Sequence, residues 1–223
     1  MPVNNNDVTF HNVSSWGQEE SELAEIQNKF LQYYPEGGEV IDLGSGRGVF
    51  LELLEKSGRK AVGVEMDKTM LEVSRKRGHD VRSGEAVSYL RSHKTKYDGI
   101  MASHIIEHMD IDKGVEFIEL IKSHLKPGGV AIIITPRPGS LWATENFWLD
   151  TTHVRPYPYA LMKQLLSPLK EIAGGLEPDS YALKNAGLKG KVISRIRKMI
   201  IGNELFDFAY GGGVWYIVVK NNG

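Results

Sequence analysis

One stretch constrains the fold more than any other. Residues Glu39 to Leu53 read EVIDLGSGRGVFLEL. An apolar run (Val40, Ile41, Leu43) meets Gly44-Ser45-Gly46-Arg47-Gly48, and an apolar segment of helical type follows: Val49, Phe50, Leu51, Leu53, Leu54. This is strand, glycine turn, helix. The glycines open backbone angles closed to other residues and let a ligand approach the main chain. The helix behind them offers unpaired N–H groups to a polar or anionic ligand. The dinucleotide fingerprint needs glycine at the first, third and sixth positions. Counted from Gly44, the sixth position is Val49, so that fingerprint fails. A P-loop fails too, because no Gly-Lys-Ser/Thr follows. What stands here is Asp42-x-Gly44-x-Gly46-x-Gly48.

Around this stretch the chain alternates. A helix is expected over Glu19–Tyr34, ended by Pro35-Glu36-Gly37-Gly38. Strands are expected at Val40–Leu43, Lys60–Val64, Asp80–Arg82, Tyr97–Ala102 and Val130–Thr135. Helices fall between them at Val49–Ser57, Lys68–Arg77, Ala86–Arg91 and Asp112–Leu125, the last with Val115, Ile118, Ile121 and Leu125 on one face. This rhythm predicts an α/β fold: a Rossmann-like, doubly wound, mostly parallel sheet with helices on both faces. Its ligand should sit beyond the carboxyl ends of the strands, where strand order reverses. After Pro136 the texture changes. Arg137–Pro158 has no periodicity and reads as a long loop or lid. A helix Tyr159–Leu169, a strand Leu176–Leu183, a basic amphipathic helix Lys189–Ile201 and a closing antiparallel strand Val214–Lys220 complete the expectation. One domain covers 1–223: an arm and helix (1–36), a cofactor-binding core (37–136), and lid, cover helices and last strands (137–223).

The second strand ends in Glu65-Met66, the third in Gly84-Glu85-Ala86, the fourth in Ser103-His104-Ile105-Ile106-Glu107-His108, and Leu125-Lys126-Pro127-Gly128-Gly129 precedes the fifth. With the glycine turn, these resemble in order the motifs of class I S-adenosylmethionine (SAM) dependent methyltransferases. The resemblance covers about Glu39 to Thr135. It implies SAM as cofactor and S-adenosylhomocysteine as its product. It implies cofactor contacts from Asp42, Gly44, Ser45, Gly46 and Gly48, from Glu65 on the ribose, and from Met66 on the adenine. Gly84, Glu85 and Ala86 would serve the adenine edge, and Ser103 the sulfonium side. A carboxylate such as Glu65 accepts hydrogen bonds from both hydroxyls of a ribose.

The lid carries Phe147-Trp148-Leu149-Asp150-Thr151-Thr152-His153-Val154-Arg155-Pro156-Tyr157. It resembles a segment found in methyltransferases of types 11 and 12, including the methyltransferase domains of O-antigen chain-terminating enzymes. Gln27 and Tyr33 are similar to that subset as well. Trp148, Asp150, Arg155 and Tyr157 are therefore expected to bind the acceptor. An acid, a titratable base and a fork-shaped cation in one loop can orient and deprotonate a hydroxyl, or grip a phosphate or carboxylate. They can equally form an internal network that only folds the loop. His153, then His104, then His108 are the candidate general bases. His104 and His108 share one helical spacing. The metalloprotease pattern needs Glu directly after the first His, and Ile105 stands there, so no metal site is expected.

Composition narrows the function class. Among 223 residues there is no cysteine, which excludes disulfides, thiolate zinc sites and a cysteine nucleophile. A net charge of −1 gives no basic field for nucleic acid. The start MPVNNNDVTF lacks the regions of a signal peptide, which fits a cytoplasmic location. The expected activity is SAM-dependent methyl transfer to an oxygen of a small-molecule, saccharide-type or lipid-linked acceptor. The alternative is a non-catalytic SAM-binding module that keeps the fold. The helix Lys189–Ile201 can rest weakly on an anionic membrane or simply cover the fold. Oligomeric state is not legible.

Overall fold

The computed structural model describes residues 20–139, 141–177, 196, 199–200 and 213–223. The chain opens with α1 (Glu20–Asn28) and a short 3-10 turn (Leu31–Tyr33). Then come β1 (Glu39–Leu43), α2 (Val49–Lys56), β2 (Lys60–Glu65), α3 (Lys68–Lys76), β3 (Val81–Ser83) and α4 (Ala86–Ser92). After them lie β4 (Tyr97–Ser103), a 3-10 turn (Ile106–His108), α5 (Ile111–His124) and β5 (Leu125–Pro136). The last described elements are α6 (Leu141–Leu149), α7 (Tyr159–Leu166), β6 (Lys170–Glu177) and β7 (Val214–Lys220).

The seven strands form one sheet in the order β3-β2-β1-β4-β5-β7-β6. Pairings from β3 to β5 are parallel; β7 runs antiparallel to both β5 and β6. Strand order reverses at β1, which pairs with β2 on one side and β4 on the other. The glycine turn that follows β1 thus lies at the switch point, where open α/β sheets bind ligands.

Both faces of the sheet are covered, so successive residues of one strand enter different cores. Ile41, Ile100, Ala131, Ile133 and Ile217 pack with Val87 and Leu90 of α4, Phe117, Ile118 and Ile121 of α5, and Met162 and Leu166 of α7. Val40, Met101, Ile132, Ile134 and Val218 pack with Phe30, Tyr34 and, from α2, Phe50 and Leu54. Three helices start on acid caps that accept backbone N–H groups: Asp67 before α3, Glu85 before α4 and Asp110 before α5.

Several expectations change. The helix expected over Glu19–Tyr34 closes at Asn28, and the rest tightens into the 3-10 turn. On α5 the buried face is Gly114, Phe117, Ile118 and Ile121, while Val115 is exposed. The Lys126-Pro127-Gly128-Gly129 turn lies inside β5, where pairing with β4 shifts register between Tyr97 and Gly99. The lid contains α6, which periodicity missed because apolar residues occur on both its exposed and buried sides: Phe147 is buried, Trp148 and Leu149 exposed.

The penultimate strand begins at Lys170 rather than Leu176. Gly174-Gly175 reads as a turn in sequence. In the structure Gly174 lies so near Tyr159 that a Cβ would come 2.0 Å from its hydroxyl. The start of the expected arm and helix, residues 1–19, and residues 178–183 lie outside the described residues. So does the basic helix Lys189–Ile201, apart from Ile196, Met199 and Ile200, which are helical and exposed.

Candidate functional site

The cofactor side is built mostly from backbone. Gly44, Gly46 and Gly48 all have positive φ (73°, 53° and 86°), so each needs the freedom that a Cβ removes. The N–H groups of Gly44 and Ser45 both donate to the Val64 carbonyl, at 2.8 and 3.1 Å. Glu65 Oε2 accepts the Gly46 N–H at 2.7 Å, and Oε1 accepts the Asp67 N–H at 2.7 Å. Glu65 therefore ties the glycine turn to the end of β2. Each carboxylate oxygen keeps a second lone pair for a further donor.

Asp42 is buried beside this group. Burial, and then the Glu65 charge, push its carboxyl well above the usual carboxylate range. Ser45 contributes through its backbone; its Oγ is buried, turned toward Gly63. Met66 stands 69% exposed.

At the β3 end, Gly84 donates to the Glu65 carbonyl, and Ala86 is buried at the start of α4. Glu85 is committed to that helix. Its oxygens accept from Val87 N–H at 3.0 Å and from Ser88 N–H and Oγ at 2.9 and 2.8 Å. Burial raises its carboxyl, but those bonds and Lys113 outweigh it and leave the carboxyl below its usual range. Capping engages both oxygens that the resemblance would turn toward an adenine amine. Space for a ligand is present: a Cβ at Gly46 or Gly84 would meet nothing within 4 Å. A cationic ligand also suits the Asp42–Glu65 pair. The described residues fit SAM on these grounds.

The acceptor side is built from side chains. Ser103, the last residue of β4, is half-buried. His104 follows with φ 55°, the only positive value at a non-glycine among the described residues. Such strain collects at functional sites. The His104 N–H donates to the Ile134 carbonyl at 2.9 Å, and its Nδ1 lies 3.3 Å from Glu107 Oε1. Glu107 is fully buried, and its Oε2 accepts from Thr135 Oγ1 at 2.9 Å. Burial pulls its carboxyl up, but His104 and then His108 outweigh that and hold it below its usual range. Ile105 reaches back over the glycine turn: a Cβ on Gly44 would stand 3.0 Å from Ile105 Cδ1.

The lid is anchored on the same residue. Backbone N–H groups of Val154 and Arg155 donate to the Glu107 carbonyl at 2.8 and 3.2 Å. Asp150 Oδ1 accepts from Thr152 N–H at 2.8 Å and Thr152 Oγ1 at 2.6 Å. Burial raises its carboxyl, and those bonds, with His153 and His108, bring it below the usual range. His153 Nδ1 is 2.7 Å from the Phe147 carbonyl, and its ring packs 4.4 Å from the Phe147 ring and 4.8 Å from the His108 ring. His108 Nδ1 meets Thr152 Oγ1 at 2.9 Å and Thr152 O at 3.2 Å. One ligand atom each from Glu107, His108 and His153 fall within 4.8 Å of one another.

The expected acceptor residues separate. Asp150 is buried and bonded inside the lid, whereas Trp148 is 55% exposed. Arg155 lies over the Tyr157 ring, 5.2 Å from its centroid. Tyr157 is fully buried; its hydroxyl donates to the Met109 and Asp110 carbonyls at 3.1 and 2.6 Å, over Gly114, where no Cβ would fit. Burial pushes that hydroxyl up to about 12. Tyr157 pins the lid to α5, and its ring backs a cavity of about 510 Å³ lined also by Arg137, Tyr159, Leu176 and Trp215. That size is typical of a small-molecule pocket.

In the sequence Glu107 stands only as the neighbour of His108, and nothing there pairs Thr135, Thr152 or Phe147 with these side chains. The signal for Glu107 was an acid inside the apolar run Ile105-Ile106-Glu107-His108-Met109.

Comparison with known proteins agrees with this geometry. Residues 15–171 match a family model described as a methyltransferase domain. A ubiquinone biosynthesis O-methyltransferase of Chelativorans sp. is 33% identical over 108 residues, 45% of this chain and 41% of that protein. The matched region thus spans less than half the length of the curated relatives. The crystal structure of a SAM-dependent methyltransferase from Archaeoglobus fulgidus superposes with TM-score 0.77 and 26% identity, covering 91% of this chain and 94% of that one. N-methyltransferase NodS from Bradyrhizobium japonicum, solved with S-adenosylhomocysteine, has TM-score 0.64 at 14% identity, covering 91% and 88%. At that identity it shares the fold alone. Among the described residues no helix is long and apolar enough to cross a membrane.

Proposed function

The chain belongs to the methyltransferase-domain family, as a class I SAM-dependent member by motif and fold, and from that premise we propose that it methylates an oxygen of a small-molecule acceptor. The observation that carries this reading is the contact of Ile105 with Gly44. It brings the segment after β4 against the glycine turn, which supports a base acting beside the cofactor loop.

SAM supplies, when bound, a methyl group on a positive sulfur with a neutral thioether as leaving group. The rest falls to the protein. Gly44, Gly46, Glu65 and Met66 hold the cofactor. The residues after β4 and the lid hold an acceptor hydroxyl close to it, and proximity with orientation supplies much of the barrier lowering.

A neutral hydroxyl must also lose its proton. His104 is placed for this: it is solvent-accessible, and the buried Glu107 carboxylate stands behind Nδ1. A carboxylate there orients the ring and stabilises the imidazolium that forms when the other nitrogen takes the proton. This moves His104 ahead of His153, whose side chain is only 10% exposed and whose Nδ1 serves the lid backbone.

The aromatic cavity beside Tyr157 fits a ring-bearing acceptor, a phenol or a saccharide, and the curated relatives' name favours oxygen over nitrogen. A SAM-consumption screen over phenols, sugars, lipid-linked saccharides and carboxylic acids tests the reading. Turnover on a hydroxyl acceptor supports it. Turnover only on amines, or SAM binding with no turnover on any acceptor, overturns it.

A further inference from the structure

Two features of the acceptor side point beyond that scheme. Glu107 Oε1 is buried, and its contact with His104 Nδ1 is long, at 3.3 Å. A buried carboxylate oxygen with so long a contact keeps a lone pair for a further cation. The second feature is the tautomer forced on two histidines. The Phe147 carbonyl can only accept, so His153 Nδ1 carries the proton in that bond. In the neutral ring Nε2 then holds a lone pair, and that nitrogen faces Asp150 Oδ2 at 3.7 Å. The place calls for positive charge, either a second ring proton or a metal ion.

His108 follows the same logic. The single hydroxyl proton of Thr152 is given to Asp150 at 2.6 Å. His108 Nδ1 must therefore be the donor toward Thr152, and in the neutral ring its Nε2 also holds a lone pair. An Nδ1–H bonded to backbone or side-chain oxygen is the arrangement that orients a histidine for metal binding through Nε2.

We propose that Glu107, His108 and His153, brought within 4.8 Å of one another by the β4 end and the lid, bind one divalent transition-metal ion. Two imidazoles and a carboxylate suit zinc, cobalt, manganese or iron rather than calcium. Ligand atoms around such an ion stand about 3 to 3.5 Å apart, given bonds of about 2.1 Å. Binding therefore draws the three side chains closer together, and the ion ties the lid to the segment after β4. Three protein ligands leave positions open for oxygen.

This extends the proposed function. The acceptor class becomes one with two adjacent oxygens, such as vicinal hydroxyls or a hydroxyl beside a carboxylate. The ion would then lower the acceptor's pKa and fix its orientation.

The test uses the untagged full chain without SAM or acceptor. Cobalt(II) chloride is titrated into it and followed by calorimetry and visible absorption, and zinc chloride is then added as competitor. One equivalent should bind, with zinc displacing cobalt, and the melting temperature should rise. His153→Gln and His108→Gln should each weaken binding by roughly thirtyfold or more, since loss of even an outer partner costs about 10- to 100-fold. Glu107→Gln should do the same, and the two histidine variants, less buried than Glu107, carry the test if it fails to fold. No stoichiometric binding, or affinity unchanged in both folded histidine variants, overturns the site.

Methyl transfer is scored separately, with and without a chelator. Metal binding without methyl transfer would sink the proposed function and leave the site standing. Methyl transfer indifferent to chelator, with no metal bound, would do the reverse.

Discussion

Asp42 and Glu107 are both buried carboxylates near the carboxyl end of the sheet, one beside the cofactor loop and one beneath the acceptor histidines. Their environments are opposite. Asp42 faces another acid, Glu65, so burial and like charge together disfavour its ionised form. Glu107 faces His104 and His108, which outweigh burial and keep it ionised. The difference teaches how each half is prepared. The cofactor half carries negative charge that a cationic ligand relieves. The acceptor half has its charge already engaged with histidines, the arrangement that the proposed base needs.

The largest effect expected from breaking this contrast is at His104. Asparagine tolerates positive φ better than most residues, so His104→Asn should keep the backbone. Turnover should fall about a hundredfold, within the range of a general base, while SAM affinity changes less than about twofold. Steady-state kinetics beside SAM calorimetry separates the two; equal losses in both would move His104 to the cofactor half.

Glu65→Ala comes next. It removes the acceptor for the Gly46 and Asp67 N–H groups and should weaken SAM binding more than about tenfold, the scale of a hydrogen bond to a charged group. Unchanged affinity would remove Glu65 from the cofactor site.

His153→Ala should lower turnover more than SAM affinity, by about tenfold, because it loosens the lid rather than the cofactor loop. Equal loss in both would make it a folding residue.

Tyr157→Phe should cost about 1 kcal/mol in denaturant unfolding, one hydrogen-bond donor's worth, and leave SAM affinity alone.

The smallest effect concerns Asp42 and pH. Its folded pKa lies above the ordinary 3.8. Stability linked to it is therefore fully present below that value and is lost as pH rises toward the folded pKa. Asp42→Asn should thus match the parent near pH 3 and melt higher at neutral pH without ligand. Equal melting temperatures at both would show that Asp42 is not penalised.

The two halves were also unequally legible. The cofactor half is local: a glycine turn, its flanking strand and helix, and one acid at the next strand end. Backbone demands select those residue types, so they can be read from spacing. Even there Glu85 shows a limit, since capping α4 engages the same oxygens as an adenine contact would.

The acceptor half joins residues far apart in the chain. Glu107 meets Thr135, and its carbonyl receives Val154 and Arg155. An acid inside the apolar run 105–109 hints at burial, but nothing local shows that it serves three segments. Tyr157 looked like a ligand contact because it is aromatic and stands in a lid; its partner is Gly114, whose missing side chain makes the space. The early start of strand β6 and the presence of helix α6 escape the sequence pattern for related reasons. Gly174 is there for Tyr159's hydroxyl, and α6 is apolar on more than one side.

One measurement tests the central claim most directly. The full chain is supplied with SAM carrying a carbon-13 methyl group and with the hydroxyl acceptor that scores highest in the consumption screen. The product is read by carbon-13 NMR, with S-adenosylhomocysteine quantified in the same tube. The account predicts a methoxy resonance growing in step with S-adenosylhomocysteine, and its loss in His104→Asn. A methyl on nitrogen or carbon, or S-adenosylhomocysteine formed without a methylated product, would contradict it.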